Sequence, residues 1–182
     1  MHLSTPLLSL TLSLTATTTT ASPAPAIHPR QCASTFYLQV SSTKKSLDGT
    51  YIQYGTKSRN GATTTTMSYS SSSSTTDAAA FEIESGTGYL YSPAVNSYLN
   101  VGAGGAEDGS ASLAYLDPMS AVTSDQYLVS CSVEGAELSC NAASTAGYTT
   151  PFLYPDSGSA GDVYIGVTSK DWDGLTLNVV CA

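Results

Sequence analysis

The sequence predicts an all-β fold, and three observations carry the prediction. Short runs rich in Tyr, Val, Ile, Leu and Thr recur along the chain, each bounded by Gly, Ser, Asn, Asp or Pro. No window of helical length places apolar side chains at helical spacing. Two of the four cysteines, Cys131 and Cys140, flank a short turn at a spacing that suits a disulfide-bonded hairpin.

The runs that read as strands are Phe36–Val40, Thr50–Tyr54, Phe81–Glu84, Tyr98–Val101, Leu113–Leu116, Tyr127–Val133, Val163–Val167 and Leu175–Val180. Several alternate apolar and polar residues, which suits strands with one face in a core and one in water. Many short strands at regular spacing predict a barrel or a sandwich. Phe36-x-Leu38, Phe81-x-Ile83 and Tyr127-x-Val129 each set an aromatic two residues before an aliphatic, and each is followed by a Gly-containing turn. This recurrence reads either as the three units of a β-trefoil-like barrel or as chance in a Tyr- and Gly-rich protein, with a β-sandwich as the alternative fold. Between the first two units, the Ser/Thr-rich stretch at about 62–76 is expected to be a loop, in part a strand, and such tracts attract O-linked sugars.

The amino-terminal residues 1–26 read as a secretory signal peptide. Leu7 to Leu14 is an apolar run of the right length, and Ala24-Pro25-Ala26 supplies an A-x-A-like cleavage site. The run is too short to span a bilayer. Residues 27–182 then form one domain. Six basic residues face fourteen acidic ones, for a net charge of −8. An acidic surface repels phosphate backbones and anionic lipid heads, so neither a nucleic-acid nor a membrane partner is expected. No Asn-x-Ser/Thr acceptor for N-linked sugar occurs.

The hairpin around Gly135-Ala136 is the best-specified local structure. With Gly at the first central position of a two-residue turn, Glu134 faces Glu137, Val133 faces Leu138, and Cys131 faces Cys140 in a non-hydrogen-bonded pair, where side chains lie closest. Cys131–Cys140 is therefore the expected bridge, and elimination leaves Cys32–Cys181 to clasp the ends of the domain. Both imply an oxidising compartment. The opposed Glu134 and Glu137 repel each other unless solvated, or unless they share a proton or a cation.

The catalytic inventory is short. The histidines are His2, inside the leader, and His28, beside its cleavage site, so Ser-His-Asp, Cys-His and imidazole-zinc chemistry are not expected. Oxidised cysteines remove thiolate chemistry. No Gly-rich phosphate loop precedes a helix, and no metal or cofactor is expected. Carboxylates remain. Glu82 and Glu84 alternate on one predicted strand face, about 7 Å apart, a separation within the range of an inverting glycosidase. The segment Asp171-Trp172-Asp173-Gly174, read as a turn before the last strand, holds the chain's single tryptophan between two acids. There Trp172 could stack on a sugar ring while Asp171 and Asp173 accept hydrogen bonds from its hydroxyls, or it could fold inward as a core plug. Asp156 to Asp162 reads as a solvated loop rather than a calcium site.

Four segments carry a resemblance: Phe36-Tyr37-Leu38-Gln39-Val40, Leu47-Asp48-Gly49-Thr50-Tyr51-Ile52, Gly135 to Cys140, and Leu175-Thr176-Leu177-Asn178-Val179-Val180. With the Ser/Thr/Ala-rich leader they resemble small secreted proteins of filamentous fungi. The likeness implies an extracellular or cell-wall β domain and names no reaction. Ricin-type lectin trefoils are a second comparison, but their repeated Gln-x-Trp is missing, so no lectin site carries over. The expected function is a secreted, non-enzymatic β domain that associates with a cell-wall or other extracellular polysaccharide. The alternatives are a carboxylate-only glycoside hydrolase and an effector- or allergen-like module that binds another protein.

Overall fold

A computed structural model of the chain describes Cys32 and residues 35–69, 73–102, 111–142, 152–155, 161–166 and 172–182. The signal-peptide reading of 1–26 lies outside these residues. Thirteen strands run in chain order. They are β1 Phe36–Ser41, β2 Ile52–Arg59, β3 Ala62–Tyr69, β4 Ala80–Ile83, β5 Leu90–Ser92, β6 Ser97–Gly102, β7 Ser112–Leu113, β8 Tyr115–Asp117, β9 Gln126–Glu134, β10 Glu137–Ala142, β11 Phe152–Pro155, β12 Tyr164–Ile165 and β13 Trp172–Cys181. Among the described residues the only helical element is a 3-10 turn at Met119–Ala121. Every strand pairing is antiparallel.

The pairings return on themselves. β1 pairs β4, β4 pairs β5, and Tyr89 at the head of β5 bridges Ser130 of β9. β9 pairs β10, β10 pairs β13, and β13 pairs β1. Strict alternation feeds the interior: in β1, Phe36, Leu38 and Val40 are buried while Tyr37, Gln39 and Ser41 are half-exposed. Phe81, Leu90, Val129, Leu138 and Leu177 join them in one apolar cluster.

Three hairpins share one register. Ile52 lies opposite Tyr69, Leu99 opposite Leu116, and Phe152 opposite Ile165. Two residues before the second member of each pair stand Met67, Ala114 and Val163, all fully buried. Their backbones form a ring. Met67 N–H donates to the Ala114 carbonyl at 2.9 Å, Ala114 N–H to Val163 at 3.0 Å, and Val163 N–H to Met67 at 3.0 Å.

That ring explains two corrections to the strand expectations. The run Leu113–Leu116 is not one strand: it breaks at Ala114 into β7 and β8, because both backbone groups of Ala114 are spent on the ring. Val163 belongs to the ring for the same reason, which shortens the expected Val163–Val167 strand to Tyr164–Ile165. Val167 lies outside the described residues. The aromatic recurrence is also corrected. Phe36 lies directly opposite Phe81 in antiparallel strands, and a three-fold rotation about an axis along the strands would keep their direction, so the two are not copies of one position in a three-fold repeat.

The Ser/Thr-rich stretch is strand over Ala62–Tyr69, the strand part of that expectation, and residues 70–72 lie outside the described residues. β-branched threonines suit a pleated ladder, and the Asn60-Gly61 turn, with φ of 51° and 80°, has the two positive values of a type I′ hairpin. Across this hairpin Gly55 faces Thr66. A Cβ at Gly55 would stand 2.2 Å from Ser68 Oγ and 2.7 Å from Thr66 Oγ1. Gly55→Ala is therefore expected to destabilise the fold by about 1–3 kcal/mol through overpacking. Chemical denaturation checks this, and Ser68→Ala in the same chain should recover part of the loss.

The two bridges are Cys32–Cys181 and Cys131–Cys140, with no free cysteine. The second spans directly opposed residues of β9 and β10, whose Cα atoms are 4.0 Å apart, beside the opposed Glu134 and Glu137. Gly135, at φ 67°, takes the first central position of the turn.

Candidate functional site

The densest polar cluster among the described residues centres on Asp117, the last residue of β8. Thr64 Oγ1 on β3 donates to its Oδ1 at 2.5 Å. Its Oδ2 accepts from Asn100 Nδ2 on β6 at 3.2 Å and from Gln126 Nε2 on β9 at 3.0 Å. The Arg59 guanidinium, at the end of β2, stands 3.6 Å away and lies over the Tyr115 ring, 4.4 Å from its centroid. Gln126 Nε2 also donates to Asn100 Oδ1 at 2.6 Å, and Gln126 Oε1 accepts from the Thr123 backbone N–H at 2.8 Å. The Thr123 hydroxyl sits between Gln126 Oε1 and Asp125 Oδ1 and can donate to either. That hydroxyl is the main reason the Asp125 carboxyl is held below its ordinary pKa.

Asn100 is fully buried between the core residues Leu99 and Val101, and Gln126 is 8% exposed. Buried amides and a largely buried carboxylate persist only when their hydrogen bonds are met, and then they hold one geometry. Asp117, Gln126 and Thr64 line the floor of an open depression of about 420 Å³, walled by Arg59, Asn60, Thr63, Thr123 and Asp125. It presents fixed polar edges at a surface otherwise rich in hydroxyls.

A row of side chains runs into this depression. Glu82 of β4 lies opposite Tyr91 of β5, Tyr91 opposite Tyr98 of β6, and Tyr98 opposite Asp117. Glu82, Tyr91 and Tyr98 are half-exposed, and Asp117 is largely buried. The Tyr91 and Tyr98 ring centroids are 4.9 Å apart, and Tyr89 meets Tyr98 edge-on at 6.5 Å. Tyr98 Oη donates to Glu84 Oε1 at 2.9 Å, and Tyr91 Oη to Asn96 Oδ1 at 2.8 Å. Comparison with known protein families, curated proteins and solved structures finds no match to this chain.

The residues expected from sequence are placed differently. Trp172 is the first residue of β13, not part of a turn before it, because pairing with β11 lengthens that strand: Trp172 opposes Pro155 and Asp173 opposes Tyr154. Asp171 and the side chains of Trp172 and Asp173 lie outside the described residues. The backbone register relates the two places. Leu175 opposes Phe152, and Val129, next after the Leu128–Asn100 pair, falls opposite Leu99. Trp172 thus holds in β13 the position that Gln126 holds in β9.

Glu82 and Glu84 go to separate partners, Glu82 to the Thr35 hydroxyl and Glu84 to Thr87 Oγ1 and Tyr98 Oη. Hydrogen bonds from Thr87 and then Tyr98 lower the pKa of Glu84, whereas a glycosidase general acid needs it raised. Of the Asp156–Asp162 loop, Gly161 and Asp162 are described; Asp162 is nearly buried and ion-paired with Lys57 Nζ at 2.8 Å, which raises the lysine pKa. Asp117, Asn100 and Gln126 were missed by sequence reasoning. The available signal was Asn100, an amide set between two core aliphatics.

Proposed function

We propose that the chain is a secreted β-trefoil domain that binds extracellular or cell-wall carbohydrate without turning it over. The trefoil reading is supported by the three hairpins of common register, the backbone ring of Met67, Ala114 and Val163, and the circuit of pairings that returns to β1. Secretion is supported by the leader-like residues 1–26 and by the two disulfides. No described helix is long and apolar enough to cross a membrane.

The observation that carries the carbohydrate reading is the floor edge of Asp117 and Gln126, held from beneath by the buried Asn100 and opening on a depression that Tyr98 adjoins through its pairing with Asp117. Sugars offer hydroxyls to polar edges and C–H faces to aromatic rings, and a site ordered in advance binds them at low entropic cost. The carboxylates are spent on holding this geometry. Asp117 is surrounded by donors, and Glu84 has the wrong direction of pKa shift for an acid catalyst.

The test is retention of the purified mature protein on insoluble chitin and on β-glucan. The wild type should be held by at least one polymer, and Asp125→Ala, at the exposed wall, should weaken retention. Trp172→Ala tests the related position on β13. If neither polymer holds the wild type, or Asp125→Ala binds as well, the reading fails.

A further inference from the structure

We infer that the bound carbohydrate is a neutral, linear oligosaccharide segment lying across the strands, from the Asp117 depression over Tyr98 and Tyr91 to Glu82. The inference rests on the carbohydrate reading above and specifies its ligand. Residues directly opposite one another on neighbouring strands share a face, so the register Glu82–Tyr91–Tyr98–Asp117 makes one continuous track. Three inter-strand steps of about 4.8 Å give a track of ~14 Å, long enough for about three linked pyranose rings.

The tyrosines are fixed before any ligand arrives. Tyr91 is held by Asn96, Tyr98 by Glu84, and Tyr98 meets the Tyr91 ring at a tilt and the Tyr89 ring edge-on. A ring already immobilised loses little entropy on binding. The half-exposed rings of Tyr91 and Tyr98 offer an apolar contact surface, whereas the depression at one end offers polar edges. A single sugar would fill the depression and leave the tyrosines unused. The track is also flanked by carboxylates at both ends, Glu82 and Glu84 at one, Asp117 and Asp125 at the other, on a chain of net charge −8. Arg59, at the Asp117 end, is already engaged by Asp117 and Tyr115. Acidic sugars would meet repulsion at both ends of the track.

Calorimetric titration with chito- and β-1,3-gluco-oligosaccharides, from monosaccharide to pentasaccharide, tests this. Affinity in at least one series should rise by about tenfold or more up to the trisaccharide and then level off. Tyr91→Ala should abolish that rise, while Tyr91→Phe, which keeps the ring, should preserve it; thermal melts confirm that both variants fold. Trigalacturonic acid should bind more weakly than the neutral trisaccharides. Binding that is independent of length, a full rise in Tyr91→Ala, or equal affinity for the acidic trisaccharide would overturn the inference and leave the carbohydrate reading standing. Absence of binding to every probe would overturn both.

Discussion

Replacing Cys32 and Cys181 together by Ser is expected to lower the unfolding free energy by about 5 kcal/mol, on the chain-entropy estimate for so long a loop. The bridge joins residues separated by 149 positions. It lies where the first and last strands meet, with Phe36 opposite Cys181. No turn connects these strands, so their pairing must be found by the two ends of a long chain, and the covalent link removes most of that search from the unfolded state. The Cys131–Cys140 bridge has a separation of only 9 across a hairpin that its own turn already closes. Its removal should cost about 2.5 kcal/mol on the same estimate. Since small domains are stable by roughly 5–15 kcal/mol, the first loss brings the protein near its unfolding threshold and the second does not. Guanidinium denaturation of the two double-serine variants measures both. Equal losses would contradict the loop-length argument.

Asp117→Ala is the second large effect. It removes the acceptor shared by Thr64, Asn100, Gln126 and Arg59, and leaves the two buried amides only Asn100 Oδ1 and the Tyr98 and Tyr115 carbonyls to donate to, and the guanidinium only the Tyr115 ring. Breaking such a cluster from one side costs about 3–5 kcal/mol. Asp117→Asn keeps the shape and one acceptor oxygen, and should cost about 1–3 kcal/mol. Both should lose retention on whichever glycan holds the wild type, because the floor of the depression no longer has a fixed geometry. A loss below about 1 kcal/mol for the alanine variant would mean that the cluster does not hold the site together.

Features set by neighbouring residues could be read from the sequence. The Gly135-Ala136 turn fixes the register of β9 and β10, which brings Cys131 onto Cys140 by counting alone. Alternation in Phe36–Val40 gave that strand its buried face. Misreadings arose where distant segments decide. Ala114 looks like the middle of an ordinary strand, and nothing local announces that Met67 and Val163 will take both its backbone groups. The Ser/Thr-rich tract reads as loop over most of its length because composition hides the pairing partner that makes 62–69 a strand. Asp117, Asn100 and Gln126 come from three strands, and Asp117 sits beside Pro118 in a segment that resembles a plain loop. Trp172 drew attention because tryptophan is conspicuous, and only the strand register relates it to Gln126.

The most direct test of the account is a ¹⁵N-resolved NMR titration of the mature protein with chitotriose and with laminaritriose. Binding at the proposed track predicts saturable shifts in the side-chain amides of Asn100 and Gln126 and in the backbone amides of Tyr91, Tyr98 and Asp117, with at least one of the two sugars. Spectra unchanged by both sugars, or shifts that leave these residues untouched, would contradict it.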